Sequence, residues 1–133
     1  MDKDLRILIL EDVPSDAELM MRELNKFGLV FTGKRVETKD QFLQELHDFS
    51  PDIILADYML PNFDGMTAML LAKKETPEVP FIFVTGSMNE EVAVECMKVG
   101  AADYVIKEHL ARLGSAVALA LDVSRAREEK RGI

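Results

Sequence analysis

The chain has 133 residues, of which 48% are hydrophobic, and this composition suits a single folded domain and argues against a disordered chain. Its formal net charge of −8 argues against direct nucleic-acid binding, because general nucleic-acid binders need basic surface to displace counterions. Cys96 is the only cysteine, which excludes a disulfide framework. The N-terminal sequence lacks the pattern of a signal peptide, and no apolar run is long enough to insert into a membrane. We therefore expect a cytoplasmic protein.

Short apolar runs typical of buried strands alternate along the chain with segments whose apolar residues have helical spacing. The predicted strands lie at 5–10, 31–36, 53–56, 81–84 and 104–106, and each is followed by a helical segment. The apolar residues that indicate these five helical segments fall within 17–27, 42–49, 66–70, 92–96 and 110–121. Pro14, together with Ser15 and Glu18 at the spacing of a capping box, indicates where the first helix begins. Gly28 and Pro51 indicate where the first two helices end.

Five strand-then-helix units in succession predict an α/β fold, a doubly wound five-stranded parallel sheet with helices on both faces. The second strand differs from the others, because Gly33, Lys34 and Arg35 suit an exposed edge rather than a buried position. An edge position for this strand fits the strand order 2-1-3-4-5, the flavodoxin-like arrangement. In that order the first and third strands are neighbours, and ligands bind beyond their carboxyl ends.

Carboxylates directly follow both of these neighbouring strands: Glu11 and Asp12 follow the first, and Asp57 follows the third. Three carboxylates within roughly 5 Å of one another would repel by about 3 kcal/mol per pair at an effective dielectric near 20. A divalent cation, protonation of one acid or a nearby ammonium would relieve this repulsion. Glu11 and Asp12 alone would equally suit capping of the next helix. With Asp57 beside them they favour a metal site, and oxygen ligands without histidine or cysteine favour Mg²⁺ or Mn²⁺ over zinc.

Two further strand ends bring a hydroxyl and an ammonium to the same edge of the sheet. Thr85 follows the strand at 81–84, and Lys107 follows the strand at 104–106. Taken singly, Thr85 would be a turn residue and Lys107 a surface charge. Taken with a carboxylate nucleophile and a bound Mg²⁺, they are the groups that phosphoryl transfer to Asp57 requires.

The chain at this point resembles a known family, the response-regulator receiver domains of two-component signalling. The resemblance rests on the acidic pair after the first strand, on Asp57 with Pro61 and Gly65 behind it, and on Thr85, Tyr104 and Lys107. It extends from about residue 5 to the last helix, so we expect residues 1–133 to form a single receiver domain. The mixed charge run at 125–133 is then a polar helical tail.

The resemblance implies that Asp57 accepts a phosphoryl group from a phosphohistidine of a histidine kinase or a histidine phosphotransfer protein. Glu11, Asp12 and Asp57 would hold the metal ion, with the backbone carbonyl of Met59 as a further ligand. The domain would not be a conventional enzyme, although it would catalyse its own phosphorylation and dephosphorylation.

The resemblance also implies how the phosphoryl group would be read. Thr85 and Lys107 would bind its oxygens, and Thr85 and Tyr104 would change position when it arrives. The face formed by the fourth helix, fifth strand and fifth helix would then change, and a downstream protein partner would respond. No output domain follows in the sequence, so the chain is either a free-standing receiver or the N-terminal receiver of a larger sensor kinase or regulator.

Two positions depart from the family pattern. Receivers usually have a proline after the lysine, joined by a cis peptide bond, whereas Glu108 follows Lys107 here. A cis bond to a non-proline residue costs roughly 2.5–4 kcal/mol, so the bond is either strained or trans with a different approach to the last helix. Gly86 stands where the family often has alanine, which would loosen the loop after Thr85.

Three other interpretations compete with a phosphorylated receiver. A haloacid-dehalogenase-like phosphatase would need a second aspartate two residues after Asp57, and that residue is Met59. A nucleotide-binding domain would need a glycine-rich phosphate loop after a strand, and the sequence has none. A receiver fold that binds partners without being phosphorylated is the more serious alternative, and only an assay for the phosphorylated species separates it.

Overall fold

The computed structural model describes residues 4–86 and 90–130, with side chains as far as residue 127. Strands and helices alternate in the order β1 (Leu5–Leu10), α1 (Pro14–Phe27), β2 (Phe31–Val36), α2 (Lys39–Asp48), β3 (Ile53–Ala56), α3 (Gly65–Glu75), β4 (Phe81–Thr85), α4 (Glu90–Val99), β5 (Asp103–Ile106) and α5 (Leu113–Lys130). A 3₁₀ helix, Lys107–Arg112, joins β5 to α5. Within the part of the chain described here, no helix is both long and apolar enough to cross a membrane.

The five strands form one parallel sheet in the order β2-β1-β3-β4-β5, which confirms the predicted topology. In the register of β1 and β3, Leu10 lies opposite Ala56, so Glu11 and Asp57 leave the sheet at the same level. In the register of β4 and β5, Thr85 lies opposite Ile106, and Lys107 follows at once. The carboxyl ends of four strands therefore bring the candidate site residues to one edge.

The central strands have apolar side chains on both faces, as strands covered by helices require. Alternate residues enter two separate clusters. One cluster lies against α2, α3 and α4 and includes Leu8, Leu10, Ile54, Ala56, Phe81 and Phe83. The other lies against α1 and α5 and includes Ile7, Ile9, Ile53, Leu55, Ile82 and Val84. Cys96 is fully buried in the first cluster, and burial raises the pKa of its thiol, so it behaves as a small hydrophobe.

The second strand lies at the edge of the sheet, as its polar residues predicted. Thr32 and Lys34 are exposed, whereas Val36 at its end is buried. A side chain at Gly33 would approach the sulfur of Met21 to 2.8 Å, so this glycine lets α1 lie close to the strand. The glycine therefore has a packing role in addition to its place on the edge.

The predicted capping box at the start of α1 is wrong. Val13 is the N-cap residue and makes no side-chain cap hydrogen bond, and Pro14 is the first helical residue. Because the ring of Pro14 already fixes φ near its helical value, the helix begins one residue before Ser15. Ser15 and Glu18 consequently lie within the helix and are exposed.

The structure refines other boundaries. Strand β4 continues through Thr85 and β5 begins at Asp103, one residue beyond each predicted limit. The described ranges contain no cis peptide bond, so the bond between Lys107 and Glu108 is trans, and the chain turns through the 3₁₀ helix instead. Of the predicted tail, 125–130 continue α5, with exposed side chains at 125–127, and residues 131–133 lie outside the described residues.

Candidate functional site

The three predicted carboxylates meet at the edge of the sheet. Glu11 is fully buried, Asp57 is 6% exposed and Asp12 is half-buried. One carboxylate oxygen from each lies within 4.8 Å of the others, and this is the only such group found in the described part of the chain. The backbone holds them in place: the Glu11 N–H donates to the carbonyl of Val36 at 3.0 Å, and the Asp57 N–H donates to that of Leu10 at 3.0 Å. Sheet pairing therefore continues one residue past each strand and fixes both acids.

The Lys107 ammonium lies among these acids. Its Nζ is 2.7 Å from Oε1 of Glu11 and 3.0 Å from Oδ2 of Asp57. A third carboxylate, Oδ2 of Asp16 on α1, is also 2.7 Å from the same nitrogen. The ammonium donates hydrogen bonds to Asp16 and Asp57 and forms an ion pair with Glu11, so it contacts carboxylates from three separate segments.

Burial raises the pKa of the Glu11 carboxyl, because desolvation disfavours its charged form. The Lys107 ammonium and the N–H of Val13, which donates to Oε2 at 3.1 Å, oppose that rise. Oε1 of Glu11 is buried and makes no well-directed hydrogen bond within the described residues, so its 2.7 Å approach to Lys107 is an ion pair. This oxygen therefore has coordination capacity left for a cation.

Burial alone would lower the pKa of Lys107, but its contacts with the carboxylates of Asp16, Glu11 and Asp57 outweigh burial and raise the pKa above the ordinary lysine value. The lysine is consequently a permanent cation at neutral pH. The single positive charge of Lys107 faces four carboxylates, those of Glu11, Asp12, Asp16 and Asp57, so the site keeps a net negative charge. Such a site attracts a further cation.

The residues present fit a divalent ion of the Mg²⁺ type. The three clustered donors are all carboxylate oxygens, the ligands that hard cations prefer, and no histidine or thiol is among them. The buried carboxylates of Glu11 and Asp57 would also repel each other at close range unless a cation lay between them. The structure thus places an acidic cluster that could bind a divalent ion beside the Asp57 carboxylate.

The loop after β3 holds the Asp57 side chain through its own backbone. The N–H of Met59 donates to Oδ1 of Asp57 at 3.0 Å, while the Met59 side chain is exposed. Gly65 at the start of α3 lies against this loop, because a Cβ there would come within 2.6 Å of the Asp57 carbonyl oxygen. Oδ1 is therefore held by the chain and Oδ2 by Lys107. The predicted metal contact of the Met59 carbonyl stays a prediction.

Thr85 and Tyr104 lie on the neighbouring strands β4 and β5. Thr85 ends β4 and is almost fully buried, and Tyr104 is half-buried beside Phe83. Arg112 of the 3₁₀ helix pairs with Asp103 and donates to the carbonyl of Tyr104, which ties the helix to β5. The switching roles of Thr85 and Tyr104 stay predictions.

Sequence reasoning missed two residues of the site. Asp16 contacts Lys107, and Arg35 of β2 donates to the backbone carbonyl of Glu11 at 3.1 Å. Only a weak signal pointed to Asp16: it lies in the first turn of the helix that begins directly above the strand ends. Arg35 was read as a mark of an exposed edge, although it also braces the loop that carries the acids.

Comparison with known proteins agrees with this geometry. A family model described as the response regulator receiver domain matches residues 7–118. Among curated relatives, the luminescence regulatory protein LuxO of Vibrio campbellii is 35% identical over 99 residues, which are 74% of this chain and 21% of LuxO. The phosphate regulon transcriptional regulatory protein PhoB of Klebsiella pneumoniae is 34% identical over 104 residues, 77% of this chain and 44% of PhoB. The chain thus spans less than half the length of these relatives.

Solved structures show the same fold. NtrX from Brucella abortus is 26% identical and superposes with a TM-score of 0.85 over 98% of this chain and 29% of its own. A CheY-like receiver domain protein from Methanospirillum hungatei is 24% identical, with a TM-score of 0.81 over 94% of this chain and 99% of its own. The beryllofluoride-activated DrrB receiver domain is 23% identical, with a TM-score of 0.76 over 90% and 99%. At these identities the last two establish the fold alone.

Proposed function

The chain belongs to the response regulator receiver family, and from that premise we propose that it is a phosphorylation-activated switch whose phosphoacceptor is Asp57. Receiver domains are phosphorylated by histidine kinases. The observation that carries the proposal is the surroundings of Asp57: a buried carboxylate with one oxygen on a backbone N–H, the other on an ammonium, and two further acids beside it.

In the proposed reaction, a carboxylate oxygen of Asp57 attacks the phosphorus of a phosphohistidine on a histidine kinase or a histidine phosphotransfer protein. The new bond joins this oxygen to phosphorus, the P–N bond breaks, and the imidazole keeps the electron pair and takes up a proton. Water then hydrolyses the acyl phosphate to inorganic phosphate and the free Asp57 carboxylate, which returns the domain to its unphosphorylated state. The domain in this sense catalyses its own phosphorylation and dephosphorylation without being a conventional enzyme.

Glu11, Asp12 and Asp57, with the backbone carbonyl of Met59, would hold Mg²⁺ or Mn²⁺. The ion would neutralise charge on the transferring phosphoryl group. The chain itself would orient Asp57 through the Met59 N–H and keep bulk water from Glu11 by burial. These assignments follow from the donor chemistry and from the family.

Lys107 and Thr85 would bind the phosphoryl oxygens. Lys107 already lies 3.0 Å from Asp57 Oδ2, so a small movement of its ammonium reaches an oxygen one bond further out. Thr85 stands at the end of the next strand, where its hydroxyl would hydrogen-bond a second oxygen. Phosphorylation adds up to two negative charges and three strong acceptors, which would favour the arrangement of Thr85 and Tyr104 that satisfies them.

A downstream protein would read the resulting change at the surface of α4, β5 and α5. Met97, Leu119 and Val123 expose apolar side chains on these helices, which supports contact with a protein rather than with nucleic acid. The two-component mechanism would place the domain in the cytoplasm, without membrane insertion. Any output activity belongs to a partner or to another part of a larger protein.

The test is to incubate the protein with Mg²⁺ and acetyl phosphate and to measure its intact mass. We expect a gain of one phosphoryl group that hydroxylamine removes, as an acyl phosphate requires, and no gain in Asp57→Asn. The matched control is Asp64→Asn, because Asp64 is an exposed aspartate that caps α3 and asparagine caps equally well. A wild-type protein that gains no phosphoryl group would favour the binding-only receiver and overturn the proposal.

A further inference from the structure

The contact between Asp16 and Lys107 adds a carboxylate to the site that does not belong to the metal cluster. Asp16 lies on α1, 91 residues from Lys107 in sequence, and its Oδ2 is 2.7 Å from Nζ. It is not among the three acids whose oxygens lie within 4.8 Å of one another. Within the described structure, the contact of its side chain is therefore with the lysine rather than with the candidate metal position.

This contact competes directly with the lysine's expected partner. The ammonium already has oxygens of Glu11, Asp16 and Asp57 within 3.0 Å and donates hydrogen bonds to Asp16 and Asp57, so a phosphoryl oxygen competes with these carboxylates for the lysine. Glu11 is fully buried and the Asp57 side chain is 9% exposed, whereas the Asp16 side chain is 32% exposed. Because the Asp16 side chain is the most exposed of the three, water can solvate its carboxylate best when the contact with Lys107 is lost. We therefore expect Asp16 to be the carboxylate that releases the lysine.

The turn after Lys107 is a second reason why the contact between Asp16 and Lys107 matters for the position of the lysine. The peptide bond to Glu108 is trans and the residue is not proline, so the chain lacks the usual restraint after the lysine. The side chain is instead held at its far end by α1. A recess of about 350 Å³ lined by Asp16, Leu19, Lys107 and Glu108 leaves the contact open to solvent.

We propose that Asp16 is a positioning residue that shares the Lys107 ammonium with Asp57 and competes with phosphoryl oxygens for it. The inference rests on the proposed function and adds a regulator of the same site. Asp16 holds the lysine away from a full contact with the phosphoryl group and so weakens the phosphorylated arrangement. Removing its charge frees one N–H donor for the ligand.

Beryllofluoride, a phosphoryl mimic, provides the test, with its affinity measured by calorimetry at saturating Mg²⁺. We expect Asp16→Asn to bind it about 1.5- to 5-fold more tightly, which corresponds to about 0.2–1 kcal/mol for a partly exposed ion pair. Asp16→Glu retains the carboxylate and should bind as the wild type does. Thermal unfolding followed by circular dichroism confirms that each variant is folded.

Two controls separate competition for Lys107 from a general change of charge. Glu108→Gln removes an equal charge from the same recess, and within the described residues the Lys107 ammonium forms ion pairs with Glu11, Asp16 and Asp57 but not with Glu108, so this variant should leave the affinity unchanged. In a Lys107→Met background, Asp16→Asn should have no effect. Equal gains in Glu108→Gln, or a gain that persists without Lys107, would overturn the inference, as would unchanged or weaker binding in Asp16→Asn.

The same experiment distinguishes this inference from the function on which it rests. A wild-type protein that binds no beryllofluoride with Mg²⁺ present would overturn the proposed function, and the inference with it. A wild-type protein that binds it as tightly as Asp16→Asn does would overturn the inference alone.

Discussion

Gly65 supports the loop that follows Asp57 through the absence of a side chain. A Cβ at this position would lie 2.6 Å from the Asp57 carbonyl oxygen and 2.7 Å from the Cα of Tyr58, and backbone atoms cannot move aside as a flexible side chain can. We expect Gly65→Ala to lower the free energy of unfolding by about 1–3 kcal/mol, the range for overpacking, and to weaken Mg²⁺ binding as Asp57 shifts. Urea denaturation and a Mg²⁺ titration measure the two effects.

Gly86 provides the matched substitution. It also follows a strand at this edge, but a Cβ there would have no atom within 4 Å, and its φ is not in the left-handed region. Gly86→Ala should therefore be neutral or stabilise by up to about 1 kcal/mol through the unfolded chain. Equal destabilisation by both substitutions would mean that the close approach at Gly65 is not the cause.

At the scale of residues, the site was predictable wherever a side chain directly follows a buried parallel strand. Glu11, Asp57 and Lys107 could be placed together because strand ends share one edge of a sheet, whatever the details of packing. Asp16 could not, since its contact depends on how α1 is tilted against the turn after β5. The direction of the Glu11 pKa shift likewise depends on burial, which a sequence pattern does not provide.

At the scale of elements, the start of α2 shows a cap that the start of α1 lacks. The hydroxyl of Thr38 accepts a hydrogen bond from the N–H of Gln41 at 3.1 Å, whereas Ser15 is an exposed residue inside its helix. Thr38→Ala should lower the free energy of unfolding by about 1 kcal/mol, the usual loss for an N-cap. Ser15→Ala should change it by less than about 0.5 kcal/mol, as for an ordinary surface position. Denaturant unfolding of the two variants compares them, and a loss in Ser15→Ala as large as that in Thr38→Ala would restore the capping box.

The periodicity of apolar residues, together with glycine and proline positions, predicted all five strands, the five α-helices and the topology, but not the 3₁₀ helix after β5 or each boundary. The end of α1 at Gly28 was predicted, and the structure places this glycine at φ 104°, where its N–H and that of Leu29 satisfy the last carbonyls of the helix. Pro14 was predicted at the entry of α1 and is its first residue, whereas the capping box of Ser15 and Glu18 does not form. Thr85 was expected directly after the strand but is the last residue of β4, since pairing with β5 extends the strand beyond its apolar run.

At the scale of the whole molecule, Mg²⁺ should act on stability in two separable ways. The formal net charge of −8 means that any salt reduces self-repulsion, whereas the proposed binding at the acidic cluster would be specific to a divalent ion. A Mg²⁺ concentration ten times Kd should add about 1.4 kcal/mol to the free energy of unfolding, beyond the effect of NaCl at equal ionic strength. Thermal unfolding measures this difference.

Asp12→Asn removes one ligand of the proposed site and should abolish the specific part of that stabilisation. Asp64→Asn removes the same charge from an exposed position and should retain it. If NaCl at equal ionic strength reproduces the whole effect of Mg²⁺ on the wild type, charge screening alone explains it and the metal site is absent.

The ion pairs of Lys107 also bear on when the site is assembled during synthesis and folding. The lysine is 50 residues from Asp57 and 91 from Asp16 along the chain, so its contacts close only after the last strand has joined the sheet. During synthesis these acids leave the ribosome well before the lysine that contacts them. A nascent or partly unfolded chain therefore carries Asp57 without its ammonium partner, and on the proposed function the domain would become able to accept a phosphoryl group only when the sheet is complete.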